Sequence, residues 1–192
     1  MNTLKMEDKI LYKNLFKPHG YINGEWIDTS QGESFQINNP STNQIIATMP
    51  EMGIDETKYA IESANKAFYS AFSSLSIDEI QGCCVASDSD VCIHPGWSPI
   101  KGWNAIAEAW VEIFESTNYI QVTPSDVVAQ ISGDVGWITC LENIYSLVGV
   151  QQLMGQVAAT NIFKRTDSGW KLSVHHGSPI VQGDEVSRQP DV

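Results

Sequence analysis

Three histidines and one glutamate are the residues of this chain best suited to moving protons: His94, His175, His176 and Glu142. An imidazole titrates near neutral pH, so it can take and return a proton under ordinary conditions. His94 stands before Pro95 and Gly96, a place that suits either a base at the end of a strand or a residue closing a Pro-Gly turn. In WKLSVHHG, strict strand alternation puts Trp170, Leu172, Val174 and His176 on one face and Lys171, Ser173 and His175 on the other. The first set is the more apolar, so His176 is the expected pocket histidine. Glu142, in ITCLENIY, would need a partner if buried, and alternation leaves its face open. It shares a face with Ile138, Cys140 and Ile144, opposite Trp137, Thr139, Leu141 and Tyr145, and both sets are partly apolar. His94, Glu142 and His176 are thus the catalytic candidates, and Phe72, Trp97, Trp103 and Tyr145 the candidate ligand-binding aromatics. Trp103 and Trp110 also fit ordinary core packing. No metal is expected, because adjacent strand residues point oppositely and at most two imidazoles converge. No cofactor is expected either.

The elements that must position these residues are legible in the hydrophobic pattern. Residues 21–48 read as short extended runs broken by turns, with Asn23-Gly24 a strong hairpin dipeptide. After Met52-Gly53, Asp55 is a candidate N-cap for a helix through ETKYAIESANKAFYSAFSS, in which Tyr59, Ala60, Ala64, Ala67, Phe68, Ala71 and Phe72 recur at helical spacing. No proline or glycine interrupts it, so one continuous helix is predicted. Ser76 can cap a short second helix. CCVASDSDVCIHPGW reads as an extended run, and residues 101–116 as a second long helix with Trp103, Ile106, Trp110, Ile113 and Phe114 on one stripe. Four long strands joined by tight turns follow, predicting an antiparallel meander, then a polar tail. Two amphipathic helices and a curling sheet bury their apolar faces only against each other, which is the α+β arrangement. The predicted boundaries are residues 1–54, 55–182 and 183–192.

The bulk composition sets limits on partners. A 192-residue chain with 42% hydrophobic and 18% charged residues can build a substantial core. No apolar run approaches the length of a membrane span, and MNTLKMEDKILYKNLF lacks the apolar core of a secretory signal, so a cytoplasmic location is expected. Cys83, Cys84, Cys92 and Cys140 match neither a zinc spacing nor a disulfide framework, and reduced thiols are expected. The net charge is -12, of which -9 lies after residue 60, where 6 Lys and Arg face 15 Asp and Glu. Such a surface repels phosphate backbones, and nucleic acid is not an expected partner.

Two stretches carry family resemblances. ANKAFYSAFSSLSIDEI, CIHPGWSPIKGWNAIAEAW, ISGDVGWITCLENI and ATNIFKRTDSGWKLSVHHGSPI together resemble the SnoaL-like subgroup of the nuclear transport factor 2-like superfamily over about 120 residues. That resemblance implies a cone of long helices on a curved antiparallel sheet, with a pocket inside and a homodimer formed through the outer sheet face. It places His94-Pro95 where ketosteroid isomerase-like relatives carry the Asp-Pro of a proton-shuttling carboxylate. Cys83-Cys84 and Val174 depart from a common Val-Trp pair and a first histidine. Residues 16–68 resemble the start of a succinate-semialdehyde dehydrogenase-type aldehyde dehydrogenase, an N-terminal β-hairpin appendage to the cone. No nucleophilic cysteine context, glutamate base or dinucleotide fingerprint follows, so dehydrogenase activity is not expected. The two resemblances overlap at AIESANKAF, which points to a fusion inside one helix.

The resulting expectation is a homodimeric module binding a small hydrophobic molecule. Two alternatives stand beside it. One is an isomerase, cyclase or hydratase acting on a hydrophobic carbonyl compound with His94 as base, and the other is a non-catalytic assembly module. Apolar side chains on both faces of the long strands support the dimer, since the helices can cover only one face.

Overall fold

A computed structural model describes residues 16–29 and 32–180 of the chain. The expectations for residues 1–15, for the centre of the TSQGES turn and for the polar tail 183–192 lie outside the described residues. The fold divides into two units, with the division between Ala64 and Asn65 inside one helix.

The first unit consists of two hairpins and the start of that helix. β1 (Gly20–Ile22) and β2 (Glu25–Ile27) are joined by Asn23 and Gly24, whose φ angles of 52° and 84° give the mirror-image turn that matches strand twist. Tyr21 and Trp26 face each other across it, ring centroids 4.8 Å apart. β3 (Ser34–Asn38) and β4 (Ile45–Pro50) form the second hairpin. The long helix α1 runs unbroken from Ile54 to Ser73, so the helix predicted across the two resemblances is continuous. Its cap differs from the expected Asp55. Gly53 occupies the cap, its carbonyl accepting from Thr57 N–H, while the Glu56 carboxylate reaches back to accept from Gly53 N–H at 2.7 Å. Asp55 lies in the first turn, where its charge favours the helix dipole.

In the second unit, the last turns of α1 are followed by α2 (Ile77–Cys83), capped as predicted by Ser76 accepting from Glu79 N–H. Most of the expected extended run is not strand. Residues 87–90 form a tight turn held by Asp90, whose carboxylate accepts from Ser87 N–H, Ser87 Oγ and Ser173 Oγ, and only β5 (Val91–Ile93) is extended. β6 (Ile100–Lys101) pairs with it, so α3 starts at Trp103 rather than at Lys101 and ends at Ser116. Gly102, at φ 80°, makes the turn between them.

The four predicted long strands are β7 (Tyr119–Ser132), β8 (Val135–Val148), β9 (Gln151–Thr166) and β10 (Gly169–Pro179), in an antiparallel meander. The sheet order is β6-β5-β10-β9-β8-β7, and β5 joins β10 in parallel. Two register shifts bend it, one between Ser125 and Val128 and one between Leu172 and Val174. One face is covered. Phe68 and Phe72 of α1 meet Trp110 of α3 at centroid distances of 6.1 and 4.6 Å, and Ile138, Phe163 and Leu172 of the sheet are buried with them. On the opposite face Val174, Ile162 and Trp137 form one cross-strand row and Ala158 and Leu141 another, half-buried or exposed without a covering element among the described residues. No helix among the described residues is long and apolar enough to cross a membrane.

Because the core of the second unit is built from its own helices and sheet, removal of residues 1–52 is expected to leave a folded fragment. Its Tm should stay within about 4 °C of the full chain, the shift that about 1 kcal/mol produces in a domain of this size. Thermal melting followed by circular dichroism checks this, and an insoluble or much less stable fragment would make the hairpins integral to the cone.

Candidate functional site

Asn65 and Tyr69 are four residues apart on α1 and therefore project from one face of the helix onto the sheet. Below them lie the inner-face residues of three adjacent strands: Cys140 and Glu142 on β8, Asn161 on β9 and His175 on β10. Asn161 is paired with Ile138 on one side and with His175 on the other, so the sheet register fixes their separation.

The polar groups form one directed chain. Asn161 Nδ2 donates to Asn65 Oδ1 at 2.8 Å and to the Tyr69 hydroxyl oxygen at 3.0 Å. Having accepted there, Tyr69 donates its own hydrogen to Glu142 Oε1 at 2.9 Å, with Cys140 Sγ 3.2 Å away. Asn161 Oδ1 lies 2.7 Å from His175 Nδ1, which must carry a hydrogen to make that contact. In this orientation the amide oxygen faces His175 and the amide NH2 faces Asn65 and Tyr69. His175 is thereby held as the Nδ1–H tautomer, its Nε2 lone pair directed away from Asn161.

Burial governs the charges. Glu142 is pushed up to about 7 by burial, with the Tyr69 hydrogen bond pulling the other way. Burial pushes His94 down to about 4 and His175 down to about 3, the positive forms of His94 and His176 adding to the depression of His175. His175 Nε2 and Glu142 Oε1 are 3.9 Å apart, yet they form no ion pair at neutral pH, because the imidazole has already lost its proton where the carboxyl begins to ionise. The Tyr69 phenol is raised far above its ordinary range, first by burial and then by the Glu142 charge. Burial also pushes Cys92 up to about 12 and raises Cys140, so neither is a ready nucleophile.

His94 enters from the other end of the sheet. Its carbonyl accepts from Trp97 N–H at 2.9 Å, closing a turn through Pro95 and Gly96, the latter at φ 83°. Its ring turns inward, perpendicular to Trp110 at 4.7 Å, against Trp97 at 5.3 Å and 6.3 Å from His175. The backbone thus closes the turn, as the structural reading of His94 expects, while the imidazole is buried. Gly177 of β10 makes room for the turn, since a Cβ there would lie 3.2 Å from Pro95 Cγ.

His94 and Glu142 thus share one buried cluster, linked through His175, whereas His176 is exposed on the other side of β10. This corrects the alternation expected for WKLSVHHG. The register shift makes Leu172 face Phe163 and Val174 face Ile162, leaving Ser173 as an extra residue, and the inward set after it becomes Ser173, His175 and Gly177. The open face of Glu142 is resolved inward with Ile138 and Cys140, so Tyr145 falls on the opposite face, 6.0 Å from Tyr119. Phe72 is packed into the core between Trp110 and Phe114. Trp103 borders a cavity of about 20 Å³, shared with Asp90, Ser173 and His175, which has room for about one water. Trp97, 43% exposed, forms the outer wall beside His94. Asn65, Tyr69 and Asn161 were not anticipated, and His175 was expected on the face opposite the pocket. The spacing of Asn65 and Tyr69 with Phe68 and Phe72 was the available signal. Among the described residues no three His, Cys, Asp or Glu side chains are grouped to hold a metal.

The opposed shifts make stability depend on pH in a separable way. The lowered histidines hold stability above their ordinary 6.5 and lose it as pH falls toward 4, while the raised Glu142 holds stability below its ordinary 4.5 and loses it as pH rises through 7. Between pH 5 and 6 the two effects oppose each other. Glu142→Gln removes one, so unfolding free energy should climb with pH more steeply in the variant by about one proton, or about 1.4 kcal/mol per pH unit. Denaturant titrations at pH 5.0, 5.5 and 6.0 check this, and equal slopes would mean Glu142 is ionised throughout.

Residues 61–182 match the family model described as a SnoaL-like domain. Among solved structures, the second unit is similar to a protein from Streptomyces avermitilis named as a dehydratase of the nuclear transport factor 2-like family. The two are 33% identical with a TM-score of 0.63, covering 67% of this chain and 99% of that one. A nuclear transport factor 2-like superfamily protein from Salmonella enterica matches at a TM-score of 0.64 and 14% identity over 71% of this chain and 99% of that one, a likeness of fold. The N-terminal part is similar to glutarate-semialdehyde dehydrogenase from Pseudomonas putida, 49% identical over 53 residues, which cover 28% of this chain. Succinate-semialdehyde dehydrogenase from Escherichia coli is 42% identical over 59 residues, or 31% of this chain. The chain spans only 11% and 12% of the length of these two curated relatives. With a family model matched across most of its length and a relative covered almost whole, the chain belongs to the SnoaL-like family of the nuclear transport factor 2-like superfamily.

Proposed function

We propose that the cone binds a small, largely apolar carbonyl or hydroxy compound and transfers a proton on it, as an isomerase or dehydratase does. The observation that carries this reading is Glu142, a buried carboxyl held near 7 beside the Tyr69 hydroxyl and two neutral imidazoles. A group poised there both takes and returns a proton at neutral pH. His94 was the base expected from the sequence; at about 4 it is a weak one, and as a neutral ring it has an N–H to offer a carbonyl oxygen. Glu142 is therefore assigned the proton transfer and His94 the hydrogen bond, with Trp97 and Trp110 as apolar walls. The name of the Streptomyces avermitilis relative agrees with this reaction class.

Binding without catalysis is the second reading, favoured by the hydrogen-bond satisfaction of every buried side-chain polar atom described and by the small volume of the cavity beside His175. Exchange of α-carbon hydrogens with D2O, followed by NMR over a panel of small ketones and aldehydes, separates the two. Proton transfer predicts exchange that falls by about 10²–10⁴ in Glu142→Gln, with ligand-induced thermal stabilisation retained. Stabilisation by panel members without any exchange in the wild type would leave a binding module.

The cone works as a homodimer in this reading, with a second copy covering Trp137, Ile162 and Val174 on the outer sheet face. Sedimentation at micromolar concentration should give more than the monomer mass, and Trp137→Glu should lower it; a monomeric wild type removes the dimer. The four free thiols fit a cytoplasmic location.

A further inference from the structure

We propose that Asp90 is a positioning residue for the candidate site: through its bond to Ser173 it holds the bulge of β10 and so keeps His175 against Asn161. Ser173 is skipped by both ladders that flank it. On the β9 side the register passes from Leu172 opposite Phe163 to Val174 opposite Ile162. On the β5 side Cys84 bridges Leu172 and Val91 pairs with Val174, so residues 85–90 loop out opposite this single serine. Neither ladder therefore fixes where Ser173 sits, although it is 3% exposed and stands just before the stretch that carries His175.

The fixing contact comes from the far end of that loop. Asp90 Oδ1 accepts from Ser173 Oγ at 3.1 Å, while Ser87 supplies the other two bonds, from its Oγ to Oδ1 at 2.9 Å and from its N–H to Oδ2 at 3.1 Å. Closing the turn between Ser87 and Asp90 needs only the Ser87 pair. A carboxylate 3% exposed is a costly group for that task alone. Its oxygens, however, make hydrogen bonds about twice as strong as a neutral acceptor would. The loop is itself anchored on the start of α3, since Asp90 C=O accepts from Gly102 N–H at 2.9 Å and Ser87 C=O from Trp103 N–H at 3.1 Å. Asp90 is thus tied to the helix on one side and holds the strand on the other.

Beyond Ser173 both ladders resume, with His175 between Cys92 and Asn161. There Nδ1 lies 2.7 Å from Asn161 Oδ1 and Nε2 lies 3.9 Å from Glu142 Oε1. Asp90 hydrogen-bonds to none of these groups and acts only by where it keeps the strand. Its importance to the site rests on the proton-transfer reading above, because that is the task His175 serves beside Glu142, whereas the positioning is read on His175 itself.

The test uses the full chain and hydrogen exchange followed by NMR at the backbone amides of Val174, His175 and His176 and at the His175 ring Nδ1–H. Ser173→Ala removes the hold on the bulge and leaves both Ser87 bonds of the turn in place. Exchange at these four groups is expected to quicken by about tenfold or more, the effect of losing a hydrogen bond to a charged group, with the amides of Asp90, Gly102 and Trp103 unchanged. Ser173→Thr keeps the hydroxyl, and the cavity beside Ser173, with room for about one water, takes its methyl; this variant should restore the wild-type rates. Wild-type rates in Ser173→Ala overturn the proposal and leave Asp90 as the closure of a turn. Quickening spread equally over β7 and β8 overturns it too, because it reports a less stable sheet, and so does a Ser173→Thr variant as fast as Ser173→Ala. A wild type that exchanges no α-carbon hydrogen on any panel compound would remove the reaction while leaving these rates, and the positioning, as they are.

Discussion

The amide of Asn161 is the constraint on which the cone interior depends. Burying a carboxyl, a phenol and an imidazole together under two helices costs several kcal/mol unless each polar atom finds a partner. Asn161 supplies partners on three sides, donating to Asn65 and Tyr69 on the helix and accepting from His175 on the neighbouring strand. An amide can do this because it offers a donor and an acceptor at once without carrying charge. A carboxylate at the same place could not donate, and a leucine would take a partner from each of Asn65, Tyr69 and His175. The direction of every later hydrogen bond, including the one Tyr69 gives to Glu142, follows from the way this amide faces.

Where the strands and helices lie was written in periodicity, and the inward-facing chemistry was only partly so. The uninterrupted run from Asp55 to Ser73, the Ser76 cap and the four long strands all rest on local patterns, which survive folding because the tertiary structure agrees with them. His94 and Glu142 stood out as titratable groups in otherwise apolar stretches. Which face Glu142 occupied was undetermined until the sheet bent, since inward and outward residues of β8 differ little in polarity. Asn65, Tyr69 and Asn161 are ordinary residue types on amphipathic elements, and only their convergence from α1 and β9 gives them meaning. Convergence between elements nearly a hundred residues apart is not encoded in any local window.

The N-terminal unit shows the same rule from the other side. Its hairpins have good local signals, Asn23-Gly24 above all, and fold as those signals direct. They nevertheless expose Tyr21, Trp26, Phe35 and Ile45, apolar residues within a segment whose curated relatives are about nine times longer than the shared stretch. Local legibility therefore says how a segment folds and not what it was shaped to cover.

The extra residue at Ser173 divides β10 into two stretches of opposite phase, and two histidines stand side by side in the second. Deleting Ser173 would leave Val174 opposite Ile162 and His175 opposite Asn161, as they are now. Pairing through without the bulge and with every residue kept would instead advance each later residue by one step, so that Val174 faced Asn161 and His175 turned outward. The bulge is thus what sets an imidazole against Asn161: a single unpaired serine decides whether the inner wall of the cone carries a proton-accepting ring or an aliphatic side chain.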